Sequence, residues 1–304
     1  MNGRVPAADI PKEPLFLSVF PSLLFTMPDQ ALFTMRRGAS EPQGLFGMAD
    51  DTARNVPRAA LITGAGRRIG AAIALALARA GYGVVLHAHN SREDAEGLAA
   101  AISGAGGRAS VVLADLADHE AVRGIVPASA AFGPLSLLVN NAGEFEPDDI
   151  ETLSPARFQR AIAVNLAAPL FLSQAFAAQA PAGVDASIVN ILDQRVLKPT
   201  PRFFSYTLSK TALYTATITL AQALAPRIRV NAVAPGPTLP SARHTNIQFA
   251  AQTENLPLQR GPLPADIAAA VIYLAQAKNV TGVTIPVDGG QHLSWRTPDS
   301  EVVE

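Results

Sequence analysis

Tyr206 and Lys210 stand four residues apart in "SYTLSK", within a stretch whose pattern is helical, so they share one helix face. A free phenol titrates near about pH 10, too high to trade protons readily at neutrality. A neighbouring ammonium favours the phenolate and brings the phenol closer to useful acid–base work. An acid, Asp193, precedes Tyr206 by thirteen residues in "ILDQRVLKPTPRFFSYTLSK". Beside a carbonyl carbon receiving hydride, a carboxylate would repel the developing alkoxide. It suits a different reduction, in which a ring nitrogen gains a proton as hydride arrives at carbon. By itself Tyr-x-x-x-Lys is also what an ordinary amphipathic helix with an exposed lysine would show. The other motifs of the chain decide the matter.

"TGAGRRIG" (Thr63 to Gly70) joins an apolar run to an Ala/Leu-rich helical run. Glycines there let backbone N–H groups approach a pyrophosphate, and the helix N-terminus supplies partial positive charge. Its place after the first strand of a βαβ series assigns it to a dinucleotide rather than to a plain tight turn. The second strand ends "LHAHNSR", with no acid at its tip to hold a ribose 2′-hydroxyl or repel a 2′-phosphate. His89, Asn90, Ser91 and Arg92, with Arg67 from the glycine loop, instead offer donors and positive charge. NADPH is the expected cofactor. His87 and His89 lack a third ligand, so no metal site is expected.

The elements that must position these groups alternate regularly from Arg58. Strands are read in "RAALITG", "GVVLHAH", "RASVVLADL", "LSLLVNNAG", "ASIVNIL", "RIRVNAVAPG" and "GVTIPVDGG". Helical runs separate them, including Ser154 to Phe176, Ser205 to Leu224 and Ala265 to Ala275. Continuous apolar strands alternating with helices predict a mostly parallel seven-stranded sheet covered on both faces, a single doubly wound (Rossmann) α/β domain over residues 56–304. In such a sheet ligands bind beyond the carboxyl ends of the strands.

Composition is consistent with one such domain. The chain has 304 residues, 49% apolar and 16% charged, enough to bury a large core. Lys+Arg at 24 against Asp+Glu at 25 argues against a nucleic-acid surface, and the absence of cysteine fits a reducing cytoplasm. Residues 1–55 read differently, as a disordered leader or as sequence upstream of a start at Met48. Their apolar run "PLFLSVFPSLLFTM" is too short and too interrupted by Pro21 to span a membrane. It also lacks the marks of a signal peptide.

Taken together, "TGAGRRIG", "NNAG" (Asn140 to Gly143), Asn165, "SYTLSK", "VNAVAPG" and "VDGG" make Arg58 to Leu293 resemble the short-chain dehydrogenase/reductase family. The resemblance implies that Tyr206 donates a proton, that Lys210 binds the nicotinamide ribose and tunes Tyr206, and that Asn165 holds a water in a proton relay. It further implies that Gly64, Gly66, Arg67, Arg68, Ile69 and Gly70 cradle the phosphates. Asp115 and Leu116 would flank the adenine, Asn141, Ala142 and Gly143 the ribose, and Pro235–Gly236 the nicotinamide. A homotetramer built partly through the helices after the fourth and fifth strands is implied as well.

Two departures, Arg68 at a loop glycine and Asp193 at the usual catalytic serine, look like the pteridine reductase branch. That branch includes bacterial dihydromonapterin and dihydrofolate reductases of this fold. By that likeness Phe145 stacks the pterin against the nicotinamide, and Arg68 faces both pyrophosphate and substrate. Gly143 and Asn90 depart from the branch, where Ser and Arg are common. Leu239 to Leu256 reads as a lid or as a fixed surface helix. The implied activity is NADPH-dependent reduction of a pteridine-like C=N bond. The alternatives are reduction of another small carbonyl or imine, and an NADP(H)-sensing protein with little turnover.

Overall fold

Ala59, Ala60, Leu61 and Ile62 are wholly buried, and their side chains alternate between two separate cores. A strand with both faces buried must be apolar at every position, which is how strand β1 (Ala59–Ile62) was legible as a run rather than an alternation. The computed structural model describes residues 58–240 and 245–295. The leader expected over residues 1–55 lies outside the described residues, as do residues 241–244 of the stretch read as a lid.

The remaining strands are β2 (Gly83–Ala88), β3 (Arg108–Leu113), β4 (Leu137–Asn140), β5 (Ala186–Ile191), β6 (Ile228–Pro235) and β7 (Thr284–Val287). They form one sheet in the order β3-β2-β1-β4-β5-β6-β7, and every pairing is parallel. Leu61 sits between Val85 and Leu138, so the strand order, which runs outward to β3 on one side and to β7 on the other, reverses between β1 and β4. Ligands in doubly wound sheets bind at that switch point.

Helices α1 (Arg68–Arg79), α2 (Arg92–Gly104) and α8 (Pro264–Gln276) cover one face through Ile73, Leu77, Ile102, Ile267 and Val271. Helices α3 (His119–Ala128), α5 (Ala168–Gln179) and α6 (Phe204–Leu224) cover the other through Ile125, Leu172, Phe176 and Ala221. A short helix, α7 (Asn246–Glu254), follows β6; its cap is a reciprocal box between Thr245 and Gln248.

The helical stretch expected from Ser154 is interrupted. Helix α4 (Pro155–Ile162) passes into a π-helical turn over Ala163–Ala167 before α5 begins. The run Pro155–Gln179 is long and apolar enough to cross a membrane by length and composition, yet half of its most apolar 18-residue window is buried inside this fold.

Helix α6 carries Tyr206 and Lys210, and its start is held from a distance. Phe203, just before it, adopts a left-handed backbone (φ +56) and provides no side-chain cap. The buried Asp148 carboxylate takes that role, accepting from the Ser205 N–H at 3.1 and 3.3 Å and from the Ser205 hydroxyl. Asp148→Ala is expected to lower the unfolding free energy in urea by about 1–2 kcal/mol, the range of a lost helix cap. Asp148→Asn, which keeps an acceptor, should recover most of that difference.

Candidate active site

The strand ends open onto a cleft of about 810 Å³. The glycine loop forms its floor. Gly64 has φ +63, and a Cβ on Gly70 would lie 2.2 Å from the Gly64 carbonyl oxygen, so α1 can approach β1 this closely only with glycine there. Arg67, the residue preceding α1, makes no side-chain cap, and the first turn of α1 holds no acid. Helix α3, by contrast, is capped by Asp118 and α4 by Ser154. The first N–H groups of α1 are thus left for an anion or for water.

Neighbouring loops fix this floor. The Thr63 hydroxyl accepts from the N–H of Asn141 at 2.9 Å and of Ala142 at 3.0 Å, while the Asn141 amide donates to the Thr63 carbonyl at 2.8 Å. Buried His87 accepts from the Gly64 N–H through Nδ1 at 3.2 Å and lies 3.1 Å from the Ala114 carbonyl through Nε2. That arrangement uses the neutral ring with its proton on Nε2. Burial lowers the His87 pKa to about 4, so the ring stays neutral.

Most of the expected cofactor residues line the cleft: Gly64, Arg67, Arg68, Ile69 and Gly70 from the first turn, His89, Asn90 and Ser91 from the second, Asp115 and Leu116 from the third. Asn141, Ala142, Gly143, Pro235 and Gly236 line it as well. Gly66 does not. It closes the loop against α2, where a Cβ would meet the Ser91 hydroxyl at 3.0 Å.

The charges expected to face a 2′-phosphate are already partnered: Arg67 with Asp94 at 3.3 Å and Arg92 with Glu96 at 3.3 Å. Asp115 pairs with Arg160 at 3.3 Å, and Arg160 also reaches Glu144 at 2.7 Å. Arg160 is not legible as a site residue from sequence, because it lies 45 residues from the acid it meets. Arg68 occupies a left-handed backbone (φ +54) and donates to the carbonyls of Leu239 and Pro240 at 3.3 and 3.0 Å. Its side chain therefore ties the glycine loop to the segment after β6.

At the other end of the cleft the Tyr206 hydroxyl donates to Asp193 Oδ2 at 3.2 Å. Asp193 is not a bare charge. Its Oδ1 accepts from the Arg195 N–H at 2.8 Å, and Arg195 Nη1 lies 3.3 Å from both carboxylate oxygens. Arg195 escaped the sequence reading; two residues after an acid it looks like a surface charge, and only the 3₁₀ turn over Gln194–Val196 folds it back. The Phe145 ring lies edge-on to Tyr206 at 4.7 Å and stacks on Phe203 at 4.0 Å.

Lys210 donates to the Ile191 carbonyl at 2.7 Å, and burial lowers its pKa to about 8. The Tyr206 pKa is raised well above its ordinary value, first by burial and then by the Asp193 carboxylate. Burial and the Asp193 charge outweigh the lowering expected from Lys210, whose ammonium lies 5.9 Å from the phenol ring and bonds to a carbonyl. Asn165, at the centre of the π turn, has its amide engaged. It accepts from the Glu144 N–H at 2.8 Å and donates to the Glu144 carbonyl and the Ser209 hydroxyl, both at 3.0 Å. Its side chain clasps the Phe145 loop to α6, and the cleft walls do not include it.

Fold and cleft together define an oxidoreductase of the nucleotide-binding type. A sequence profile described as enoyl-(acyl carrier protein) reductase matches residues 64–292. The chain belongs to the short-chain dehydrogenase/reductase family. Its resemblances include the pteridine reductase-like branch. It is 48% identical to the FolM alternative dihydrofolate reductase 1 of Brucella canis, solved in complex with NADP, over 81% of this chain and 98% of that one, with a TM-score of 0.79. It is 39% identical to an oxidoreductase of Methylorubrum extorquens over 77% of this chain and 97% of the relative. Pteridine reductase 1 of Leishmania tarentolae is 33% identical over 77% and 96% of the two chains.

Two outcomes follow from the burial of these groups. The folded His87 resists protonation down to about pH 4, whereas an unfolded histidine takes up its proton near 6.5. The unfolded chain therefore binds more protons in that interval, and stability should be complete above about pH 6.5 and lost progressively as pH falls toward 4, by up to about 3 kcal/mol. Urea titrations at several pH values should show a flatter dependence in His87→Gln; an identical slope would remove His87 as the cause. Lys210→Met should leave the melting temperature unchanged or raise it, since a buried ammonium is removed, while lowering kcat by about a hundredfold or more. A fall of several degrees in melting temperature would instead make the lysine a structural residue.

Proposed function

We propose that the chain is an NADPH-dependent reductase of a C=N bond in a pteridine-like ring, of the dihydropterin or dihydrofolate class. The observation that carries this reading is the 3.2 Å contact between the Tyr206 hydroxyl and Asp193 beside the Phe145 ring. A carboxylate at this position disfavours an alkoxide and tolerates, or assists, protonation of nitrogen.

The cleft suits the cofactor. Gly64 and Gly70 leave no room for side chains at the turn, the first turn of α1 is uncapped, and no acid ends β2. The glycine loop would hold the pyrophosphate, His89, Asn90 and Ser91 the 2′-phosphate, Asp115 and Leu116 the adenine. Asn141 to Gly143 and Lys210 would hold the nicotinamide ribose, with Pro235–Gly236 beside the nicotinamide. Bound NADPH supplies the hydride. Tyr206, kept protonated by burial and by Asp193, gives its proton at the ring nitrogen. Asp193 orients the phenol through its hydrogen bond, and Arg195 balances the carboxylate so that the pocket does not carry an isolated negative charge. Phe145 presents a flat apolar face for the substrate ring, backed by Phe203. Exposed Phe171 on α5 and Leu208 on α6 support assembly as a homotetramer through these helices.

The test is NADPH consumption, followed by absorbance, with a dihydropterin, dihydrofolate and a simple β-keto ester, alongside NADH as the alternative donor. The proposal expects pterin or folate turnover with NADPH, and a fall of about tenfold or more in kcat for Asp193→Ser with NADPH affinity unchanged. Rapid β-keto ester reduction without pterin turnover would reject it in favour of a carbonyl reductase. NADPH binding with no turnover of any substrate would support the sensing alternative.

A further inference from the structure

The short turn after β5 carries two side chains, Gln194 and Arg195, with hydrogen-bonding atoms that the chemistry above leaves unused. Arg195 lines the cleft with its side chain 20% exposed, and its donors can be assigned one by one. Nη1 is taken by both oxygens of Asp193. Nε is buried without an acceptor, and the guanidinium carbon lies 5.2 Å from the ring centroids of both Phe145 and Phe203. That edge rests on the stacked rings, as arginine cations commonly do. Among the described residues no acceptor takes Nη2, which leaves two strong donors on a planar, permanently charged group. Gln194, its neighbour on the same turn, also lines the cleft and is 5% exposed. Its Oε1 is buried with no donor. Buried polar atoms without partners are rare, and each calls for an explanation.

We propose that the Gln194–Arg195 turn reads the lactam edge of the substrate ring. Arg195 Nη2 would donate to a ring oxo group and Gln194 Oε1 would accept from the adjacent ring N–H, while the ring lies against Phe145. This inference rests on the pteridine reading of the site and narrows it to oxo-bearing rings. An amino group in place of the oxo would turn a donor toward Arg195 and an unprotonated ring nitrogen toward Gln194, so both contacts would become mismatches. Sites built on buried hydrogen-bonding groups discriminate through such mismatches.

The experiment uses the full chain saturated with NADP+. Dissociation constants are measured by fluorescence or calorimetry for 2-amino-4-oxopteridine and for 2,4-diaminopteridine, in the wild type and in Arg195→Met, Arg195→Lys and Gln194→Met. The oxo-to-amino preference is expected to fall about tenfold in Arg195→Met and in Gln194→Met, with NADP+ affinity unchanged, and to be partly retained in Arg195→Lys. A preference that stays within twofold of wild type in both the Arg195 and the Gln194 variants would overturn the inference while leaving the pteridine reading intact. A wild type that binds neither pteridine would overturn both. Should Arg195→Met lose its cofactor affinity or its fold, Arg195→Lys and Gln194→Met decide the question, and an unchanged preference in both counts against the proposal.

Discussion

A carboxylate hydrogen-bonded to a phenol is tolerable inside this protein because a guanidinium stands on its other side. Asp193 without Arg195 would place a negative charge, only 16% exposed, against Tyr206 and the apolar ring of Phe145. Removing a charge from water costs several kcal/mol unless it is paired and hydrogen-bonded. The pair, strengthened by the Arg195 backbone N–H, leaves Oδ2 available to the phenol. The rest of the site can be understood as scaffolding for that arrangement. The 3₁₀ turn sets Arg195, β5 sets Asp193, and α6 sets Tyr206.

The scaffolding is made of hydrogen bonds between segments far apart in sequence. Asp148 holds the first turn of α6 from 57 residues away. Asn165 reaches both Glu144 and Ser209, so the loop bearing Phe145 and the helix bearing Tyr206 share one amide. The π turn is what lets Asn165 do this. A wider turn releases a residue from the regular ladder and re-aims its side chain, which is why such turns gather at functional sites. The buried chain Asn140–Asn190–Thr217, with bonds of 2.9 Å, ties β4, β5 and α6 together beneath the same loops. Each link is polar and inside the fold, where a missing partner is costly, so the positions of these loops are narrowly specified.

The elements were legible in the sequence for a reason that does not extend to the site. Parallel strands covered on both faces must be apolar throughout, so "ALI" after Arg58 or "ASIVNI" stands out against the polar turns around it. The turns beyond their carboxyl ends were legible too, and the residues expected to hold the cofactor, Gly66 apart, lie along the cleft. What stayed hidden depends on side-chain direction rather than composition. The sequence Ala163–Ala167 has the same apolar pattern in a π turn as in an α-helix, so nothing announced the break. Nothing in the sequence singles out Arg195 or Arg160, since their partners are chosen by the fold. Tyr206 was expected to be acidified by Lys210 because spacing brings the two close; burial depth, which spacing does not report, outweighs that proximity.

Arg68 shows how a local rule can be broken where two loops must be joined. A left-handed backbone costs a non-glycine residue on the order of 1–2 kcal/mol, and a glycine would avoid it. What the arginine brings is reach. Its guanidinium meets the carbonyls of Leu239 and Pro240, 171 and 172 residues away, at the point where the chain leaves β6 for α7. Two hydrogen bonds from a charged donor work against that strain, with part of their strength screened by solvent at this exposed site. The two walls of the cleft are therefore connected by protein alone at the place where the glycine loop would meet a pyrophosphate. A ligand entering there meets a fork whose donors are already directed at two carbonyls, and an anion competing for that fork would bear directly on the segment leading to α7.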